Sequence, residues 1–305
     1  MSRVTVSATS ANLGAAFDCG AVALNLHLSV TAVPRAEPGF TVDYHGPQPE
    51  AVPSDGSNLI CRAITEICSR GGSPVGGLSL QVDSEIPIGV GLGSSAAAIV
   101  AGLLVGRQLA HPPMDEQALL ALAANMEGHP DNVAAALLGG LVVAAEVGSQ
   151  VLTRRTDIPA DLRFIVVTPQ HPMPTARSRA VLPEQYSRAD VVHNLQRVAL
   201  LTACIFSGGF DLRPEFFQDR LHQPQRAPLV PGLAECLELH HPDLLGIFLS
   251  GAGSSVTAIA RQSTDEIAER LRQLFESAGV KAESRVLQAE NRGGLDRLNG
   301  EVKLR

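Results

Sequence analysis

Three glycines in five residues, Gly89, Gly91 and Gly93, are followed at once by two serines. Glycines at this density leave backbone N–H groups uncovered, and the first turn of a helix adds unpaired donors and a positive dipole end. A strand-like segment precedes the glycines, and an apolar helical segment begins at Ser94 and Ser95. This context predicts a phosphate-binding loop in which a serine caps the helix or offers its hydroxyl to a magnesium ion.

Other interpretations of this loop fit the spacing to different degrees. A Walker loop needs Lys after its last glycine, whereas Ser94 follows Gly93. A dinucleotide-binding loop needs two residues between its second and third glycines, and Leu92 alone separates Gly91 from Gly93. A plain tight turn before a capped helix stays open, because short glycine motifs are common.

A second group of polar side chains lies at residues 127–132, where an acid, a histidine, a proline, an aspartate and an amide follow closely. Isolated arginines such as Arg179 and Arg226, and the aspartate Asp18, could bind charged groups, but nothing in their spacing singles them out. Simpler explanations compete with these. An isolated arginine is commonly a solvated charge, Asp18 could close a turn, and the His-Pro pair at 129–130 could begin a helix. Residue types alone favour the simpler explanation at most of these positions.

The apolar pattern predicts the elements that must position these groups. Alternation predicts strands at 4–8, 28–32, 40–44, 77–82, 141–147, 164–168, 245–249 and 255–260. Helical spacing predicts helices at 58–69, 94–109, 116–126, 176–182, 191–206 and 265–278, with a short one after 132. Strands and helices mix without a βαβ repeat, which favours an α+β fold. A polar stretch with a proline at 153–161 predicts two domains, 1–157 and 158–305.

Composition argues against several functional classes. The 305 residues carry a net charge of -7, which disfavours nucleic acid or an anionic membrane as the main partner and favours small ligands. Five scattered cysteines show neither a C-x-x-C pair nor zinc-binding spacing, which predicts a reduced, cytoplasmic chain. No secretory leader precedes the strand-like residues 4–6. The longest apolar run, 96–106, is about half of the ~20 residues that a membrane span needs.

Four segments carry a family resemblance. Residues 87–97, PIGVGLGSSAA, resemble the phosphate-binding motif of the GHMP kinases, the small-molecule kinases that include galactokinases, homoserine kinases and mevalonate kinases. Residues 7–18, SATSANLGAAFD, are similar to the opening of the homoserine kinases, and residues 249–256 resemble the third GHMP motif. Residues 127–134, EGHPDNVA, resemble the homoserine kinases, whereas mevalonate kinases have an acidic residue where Asn132 stands. Segments around 175–183, 194–195 and 219–226 also resemble the amino-acid-binding half of that family.

The resemblance implies a two-domain α+β architecture, with an N-terminal domain like domain 2 of ribosomal protein S5 and a ferredoxin-like C-terminal domain. It implies a kinase that uses ATP and Mg²⁺ to phosphorylate the side-chain hydroxyl of L-homoserine, as a homodimer. It also implies site residues: Asn58, Pro87, Ile88, Gly89, Val90, Gly91, Leu92, Gly93, Ser94, Ser95, Ala96 and Ala97 for the nucleotide, Ser95 and Glu127 for magnesium, Asn12, Asp18, His129, Thr175, Arg179 and Arg226 for the substrate, and Asp18, Asn132 and Arg179 for catalysis.

The chemistry of such a substrate matches these residue types. The carboxylate of a free amino acid needs fixed cations, and a guanidinium group binds it as a bidentate fork. Phosphoryl transfer asks mainly for alignment and charge neutralisation, so a strong base is not mandatory. We therefore expect Asp18 to orient the hydroxyl and Arg179 mainly to bind the carboxylate.

The sequence departs from the family pattern at three places. Ser7 replaces a proline, Ala15 and Ala16 replace Pro-Gly, and the pair at 254–255 is Ser-Ser instead of Pro-Thr. If the glycine position requires a positive φ, Ala16 adds strain of about 1 kcal/mol. The serine pair keeps a hydroxyl, so we expect phosphate contact to survive there.

Other functions of the same family stay open at this point. A GHMP kinase acting on another small alcohol differs only in the substrate that it accepts. A catalytically silent nucleotide-binding relative, or a nucleotide sensor, would bind ATP without turnover. Retention of Ser94, Ser95 and Glu127 speaks against the silent relative, and the sensor stays open.

Overall fold

The first half of the chain forms a mixed six-stranded sheet. The computed structural model describes residues 2–72 and 75–302. The strands are β1 (Ser2–Ala11), β2 (Gly20–Arg35), β3 (Gly39–His45), β4 (Gly77–Ser84), β5 (Leu141–Val147) and β6 (Gln150–Thr156). They lie in the order β3-β4-β2-β5-β6, with β1 paired to β2. Only the β3–β4 pair is parallel. The long β2 therefore organises the sheet.

Four helices belong to this half: α1 (Leu59–Arg70), α2 (Ser94–Leu109), α3 (Glu116–Glu127) and α4 (Asp131–Leu138). Helix α2 lies between α1 and α3 and also packs against β1 and β2. Its residues from Ile99 to Gly106 are buried all round, because they are uniformly apolar or small. The start of α2 is consequently fixed by a rigid core.

The second half builds an antiparallel four-stranded sheet from β7 (Arg163–Pro169), β8 (Leu244–Leu249), β9 (Val256–Ala260) and β10 (Ala282–Leu287), in the order β10-β7-β9-β8. Strand alternation on β7 places Phe164 and Val166 in the core shared with the first half, and Ile165 and Val167 in a second core. Both faces of this sheet are therefore covered.

Six helices occur among the described residues of the second half: α5 (Thr175–Ala180), α6 (Arg188–Phe206), α7 (Gln223–Arg226), α8 (Leu233–Leu237), α9 (Thr264–Ser277) and α10 (Gly294–Val302). Short 3₁₀ helices lie at Pro49–Ala51, Pro214–Phe217 and Ala227–Leu229. Helix α10 returns to pack against β1 and α4. Among residues 2–72 and 75–302, no helix is both long and apolar enough to cross a bilayer.

The predicted α+β class is confirmed. The bounds predicted for α2 and β5 agree with the structure, and most other predicted elements differ by a few residues at an end. The sequence analysis missed β6, β10, α7, α8 and α10. Strand β6 extends to Thr156, into the polar stretch that was interpreted as a linker. The division at residue 157 stays a prediction.

Candidate active site

The glycine loop runs between β4 and α2 with three left-handed residues: φ is 71° at Gly89, 87° at Gly91 and 68° at Gly93. A Cβ on Gly91 would overlap the carbonyl oxygen of Ser250, and one on Gly93 would overlap the hydroxyl of Thr9. A Cβ on Gly89 would meet open space. The close approach at Gly91 and Gly93, together with positive φ, therefore requires glycine at both positions.

Helix α2 begins with exposed backbone donors. Its N-cap is Gly93, which has no side chain to cap the helix, so the expectation that a serine caps it is wrong. Ser94 and Ser95 are instead the first two helical residues. Their N–H groups belong to the unpaired first turn, where an anion is favoured. The Ser95 hydroxyl donates to Oε2 of Glu127 at 2.7 Å.

The end of α3 brings an acid and a histidine to the same place. Gly128 ends the helix with φ 87°, so Glu127 and His129 lie close together, with Nε2 of His129 4.0 Å from Oε1 of Glu127. Burial raises the pKa of Glu127 above its usual value, although the Ser95 hydrogen bond and the charge of His129 oppose this. A buried carboxylate in this state favours a cationic partner.

His129 is oriented by the buried Asp131. Its Nδ1–H donates to Oδ1 of Asp131 at 2.7 Å, leaving Nε2 directed away from that carboxylate. Burial lowers the pKa of His129, but the Asp131 hydrogen bond and the charges of Asp131 and Glu127 outweigh it, so the pKa is raised overall. The same Oδ1 accepts from the backbone N–H of Asn132 at 2.7 Å.

Asn132 is tied to the first strand. Its side chain is almost fully buried, and Oδ1 accepts a hydrogen bond of 2.6 Å from the Thr9 hydroxyl. Thr9 also approaches Gly93, and its backbone N–H donates to the carbonyl of Leu92. Strand β1, the glycine loop and α4 are thus locked together around Asn132.

The loop after β1 carries an ion pair. Both carboxylate oxygens of Asp18 accept hydrogen bonds from Arg179, at 2.8 and 3.0 Å, which is a bidentate fork. This hydrogen bond is the main reason that the pKa of Arg179 is raised. The Asn12 side chain accepts from the Asp18 N–H at 3.0 Å and donates to the carbonyl of Gly251 at 2.8 Å. Asn12 therefore connects this loop to the third motif.

Arg226 is buried near the Asp18–Arg179 ion pair and forms a hydrogen bond with His222. Its Nη1 donates to Nδ1 of His222 at 3.1 Å, so His222 must carry its proton on Nε2, which donates to the carbonyl of Gly14 at 2.8 Å. Burial lowers the pKa of His222 and keeps the ring neutral. Burial and the nearby charge of Arg179 lower the pKa of Arg226 to about 10.

The aromatic ring of Phe17 lies close to both Arg179 and Arg226. The guanidinium carbons of Arg179 and Arg226 lie 5.9 and 5.3 Å from the ring centre of Phe17, and His222 stacks on the same ring at 5.0 Å. Both cations therefore contact the ring of the residue that precedes Asp18, which stabilises them without neutralising them.

The buried carboxylate of Asp219 holds the backbone on both sides of His222 in place. Asp219 accepts from the backbone N–H groups of Leu221, His222 and Gln223. It also accepts from the Asn194 amide at 2.6 Å, and that amide is 3.3 Å from the carbonyl of Ala15. The start of α7 and the loop before Asp18 are therefore held by one network.

A cavity of about 80 Å³ joins the predicted phosphate and substrate elements. Its lining includes Gly89, Gly91, Leu92, Gly93, Ser94, Ser95, Glu127, His129, Asn132, Met173, Thr175, Gly251, Ala252 and Gly253. Thr175 begins α5, the helix that also carries Arg179. Both halves of the chain therefore contribute to one site.

Several predicted nucleotide residues lie elsewhere around the loop. Pro87 and Val90 line a neighbouring cavity of about 280 Å³ together with Gln48. Gln48 also pairs its amide with the backbone N–H and carbonyl of Ile88. Ala96 and Ala97 are fully buried in the core, where they anchor α2. Their predicted roles are consequently indirect or at the edge of the site.

Asn58 is occupied by local structure. Its Oδ1 accepts from the backbone N–H of Ile60 and caps α1, and its Nδ2 donates to the carbonyl of Pro53. The residue is buried. Its predicted place beside the adenine stays a prediction.

The departures from the family motifs have visible outcomes. Positive φ values in the described part of the loop occur at Asn12, Leu13, Gly14 and Asp18 rather than at Ala16, so Ala16 is not strained in the way anticipated. In the third motif, the Ser255 hydroxyl pairs with Thr168 at 2.8 Å. The Ser254 hydroxyl is buried without a partner among the described residues. The backbone of this motif, not its hydroxyls, faces the cavity.

A second set of possible cation ligands lies beside the predicted one. Ligand atoms of Asp18, His129 and Asp131 all lie within 4.8 Å of one another. All three already have strong partners, because Asp18 accepts from Arg179, and His129 and Asp131 are hydrogen bonded to each other. Magnesium prefers oxygen ligands and keeps several waters. The hydroxyl and carboxylate of Ser95 and Glu127 fit this preference better.

The sequence analysis assigned no role to five residues that shape the site: Thr9, Phe17, Asp131, Asp219 and His222. All lie within or next to segments whose family resemblance was noted. The motifs therefore pointed to these segments. The supporting roles depend on contacts between residues about 120 to 210 positions apart, such as Thr9–Asn132 and Gly14–His222, which a motif does not reveal.

The comparisons with known proteins agree with this architecture. The profile of the GHMP kinases N terminal domain matches residues 58–140, and that of the GHMP kinases C terminal domain matches residues 209–277. A mevalonate kinase from L. major has a TM-score of 0.64 at 15% identity over 95% of this chain and 96% of its own, a likeness of fold alone. Fold and site thus have the build of a GHMP kinase.

More similar proteins narrow the family. The homoserine kinase of Moorella thermoacetica is 37% identical over 97% of this chain and 99% of its own length. That of Deinococcus radiodurans is 42% identical over 83% and 82%. A crystal structure of homoserine kinase from Cytophaga hutchinsonii matches with a TM-score of 0.84 at 26% identity, covering 95% of both chains. The chain belongs to the homoserine kinase family of the GHMP kinases, so the predicted family and fold are confirmed.

Proposed function

We propose that this protein is a homoserine kinase, which moves the γ-phosphoryl group of ATP onto the side-chain hydroxyl of L-homoserine. The observation that carries the proposal is the Asp18–Arg179 fork. Arg179 lies on α5, the helix that also carries Thr175 of the glycine-loop cavity. Such a site offers one fixed anion and one fixed cation beside a phosphate-binding loop. A free amino acid with a terminal hydroxyl matches that combination.

The nucleotide phosphates are proposed to bind at the glycine loop. Positive φ and close packing fix Gly91 and Gly93, while the space beyond Gly89 is open, which suits the close approach of an anion. The uncapped start of α2 adds N–H donors and its dipole. When bound, ATP supplies the transferable phosphoryl group.

Magnesium is proposed to bind at Ser95 and Glu127. Their oxygens are 2.7 Å apart, and burial raises the pKa of Glu127, so a bound cation would favour its charged form. Two protein oxygens leave the remaining positions to phosphates and water, as magnesium sites commonly do. The ion would neutralise charge on the phosphates during transfer.

The substrate is proposed to exchange with the ion pair of the free enzyme. Its carboxylate would take the place of Asp18 on Arg179, and its ammonium group the place of Arg179 on Asp18. Charge is conserved in this exchange, so a zwitterion leaves neither residue unpaired, whereas a neutral alcohol cannot replace either partner. Arg226, buried one layer behind and facing Phe17, adds a second cation for the carboxylate.

The residues of this chain contribute mainly alignment. Asp18, His129 and Asn132 are proposed to orient the substrate and its hydroxyl, and Asn132 is a neutral amide fixed by Thr9, not a base. Asp131 fixes the tautomer of His129. Phosphoryl transfer through a loose transition state requires little more than in-line placement and neutralised charge.

A coupled ADP-release assay tests the proposal. Homoserine, mevalonate and galactose are supplied separately with ATP and Mg²⁺. We expect turnover with homoserine at least 100-fold above the other two. Equal or greater turnover with another alcohol would reassign the substrate within the family, and ATP binding without ADP release would indicate a silent relative.

We also propose that the protein works in the cytoplasm, as a homodimer, with a domain boundary after residue 157. All five cysteines are free, and burial raises the pKa of Cys61 and Cys236 to about 12, so these thiols are unreactive. Such thiols suit a reducing compartment.

A further inference from the structure

The outer face of α6 is unusually apolar for an exposed helix. Among the described residues, ten large hydrophobic side chains are exposed, and five of them lie on this helix: Val191, Val192, Leu195, Leu200 and Phe206. Leu195 and Leu200 are 59% and 54% exposed. An apolar patch concentrated on one element marks an interaction surface rather than scattered surface residues.

Helix geometry arranges this face as one stripe. Val192, Leu195, Ala199, Ala203 and Phe206 follow each other at spacings of three and four residues, so they lie along one side of the helix. The buried residues Asn194, Leu201 and Ile205 lie on the opposite side. Helix α6 is therefore apolar on its outer side as well as partly on its inner side, which predicts a partner for the outer one.

We propose that the outer stripe of α6, from Val192 to Phe206, packs antiparallel against the same stripe of a second copy of this chain. A twofold axis at Ala199 would bring Val192 opposite Phe206 and Leu195 opposite Ala203. Large side chains then meet small ones at the inner pairs, and the small Ala199 meets itself where the helices are closest. A twofold interface requires this self-complementarity, and an unrelated partner would not.

Charge supports the same arrangement. No charged residue occurs between Arg197 and Asp211, so the centre of the contact is uncharged. Arg188 at the start of α6 and Asp211 beyond its end are both exposed. The antiparallel register brings Arg188 of each copy to the carboxyl end of the other α6, where a cation is favoured, and the two helix dipoles oppose each other favourably.

The contact would stiffen the wall of the substrate site. On the inner side of α6, Asn194 bonds Asp219 and the carbonyl of Ala15, next to the loop that carries Asp18. This inference names the surface of the proposed homodimer, and it does not require the kinase activity to be correct.

Sedimentation equilibrium of the full chain is the first test. We expect a dimer at micromolar concentration, and Leu195→Glu should raise its dissociation constant on the order of 100-fold by burying like charges in an apolar contact. Val33→Glu changes an equally apolar, exposed residue on β2, 44% exposed, and should leave the dimer intact. Circular dichroism melting of both variants checks that they fold.

Cysteine cross-linking tests the register. Ala199→Cys should form a disulfide-linked dimer under mild oxidation, because the two copies of residue 199 meet at the axis. Val192→Cys lies on the same stripe, but its two copies would be about 21 Å apart and cannot be bridged. The native chain, with five free cysteines, is the background control.

A charge reversal gives an independent check: Arg188→Glu should weaken the dimer, because it places an anion at the carboxyl end of the partner helix. A monomeric native chain, or a dimer that survives Leu195→Glu and cross-links equally through Val192→Cys, would overturn the proposal. Homoserine phosphorylation by a monomer would refute the proposed interface but support the proposed function. A dimer without that activity would support the interface and refute the function.

Discussion

Replacing Asp18 by Asn removes one charge from the ion pair that the substrate is proposed to exchange with. The variant keeps the size of the side chain and one acceptor oxygen. Arg179 then has no anion to hold it, and the ammonium group of the substrate has no anion to bind. We expect weaker substrate binding and less accurate alignment of the hydroxyl.

The size of the effect follows from the geometry. Two charge-assisted hydrogen bonds of 2.8 and 3.0 Å connect Asp18 to Arg179, and bonds to charged groups contribute about 1.5–3 kcal/mol. The side chains are 33% and 37% exposed, so solvent screening favours the lower half of that range. About 1.5–2.3 kcal/mol corresponds to a fall in kcat/KM for homoserine of roughly 10- to 50-fold. The free energy of unfolding should change by less than about 1 kcal/mol.

Steady-state kinetics at saturating ATP and magnesium measures this effect, and chemical denaturation checks the folding. The matched control is Asp161→Asn, which breaks another Asp–Arg pair, to Arg261 at 2.7 Å, outside the cavity lining. The control should keep native kinetics. If Asp18→Asn kept both KM and kcat, Asp18 would have neither a binding nor an orienting role, and the exchange of partners would be wrong.

Four other residues give further predictions. Gly93→Ala should lower ATP affinity at least 10-fold and destabilise the fold by about 2 kcal/mol or more, because backbone strain and steric overlap combine; Gly148→Ala, with φ 62° and open space, isolates the strain. Glu127→Gln should raise the magnesium concentration for half-maximal activity several-fold. His222→Leu should raise KM for homoserine and cost about 2–4 kcal/mol of stability, whereas His222→Gln, which keeps a donor and an acceptor, should recover part of both. Glu290→Gln should destabilise the protein by about 1–2 kcal/mol at pH 7 but not near pH 2.

The pH dependence predicted for Glu290→Gln follows from the lowered pKa of Glu290 in the folded protein. His27 and, beyond it, the backbone N–H of Arg292 and the charge of Arg297 outweigh burial and hold the pKa of Glu290 at about 2. A carboxyl with a depressed pKa stabilises the fold above its unfolded value and loses that contribution as pH falls from about 4.5 to 2. Urea titrations at several pH values measure it. A difference between native and variant that stayed constant down to pH 2 would contradict the argument.

Each of the other variants has a result that would contradict it. Equal loss of stability in Gly93→Ala and Gly148→Ala would mean that the overlap with Thr9 adds nothing to the backbone strain. Unchanged magnesium dependence in Glu127→Gln would remove that residue from the metal site. Native KM in His222→Leu, in a folded protein, would mean that Arg226 needs no support.

The sequence predicted the parts of the site that are contiguous in the chain. Helix α2 and the glycine loop were predicted because apolar periodicity and glycine density are local properties. Strand β10 was missed because its middle residues are polar and exposed, and β6 because its arginines and threonines resemble a linker. Only pairing with β7 and β5 makes these segments strands.

The supporting contacts could not be predicted from a single sequence. That Gly93 leaves no room for a Cβ depends on Thr9, which reaches it from β1. That Arg226 is buried, rather than a solvated charge, depends on His222 and the carbonyls of Ser178 and Gly251. Such contacts join distant parts of the chain, and local propensity contains no information on them.

Phosphorus NMR of the native protein with ATP, Mg²⁺ and L-homoserine tests the central claim most directly. The account predicts a new phosphomonoester signal on the homoserine side chain, appearing in step with one ADP per phosphate transferred, and no such signal without homoserine. ADP formation that is indifferent to homoserine, or a phosphoryl group found only in inorganic phosphate, would contradict it.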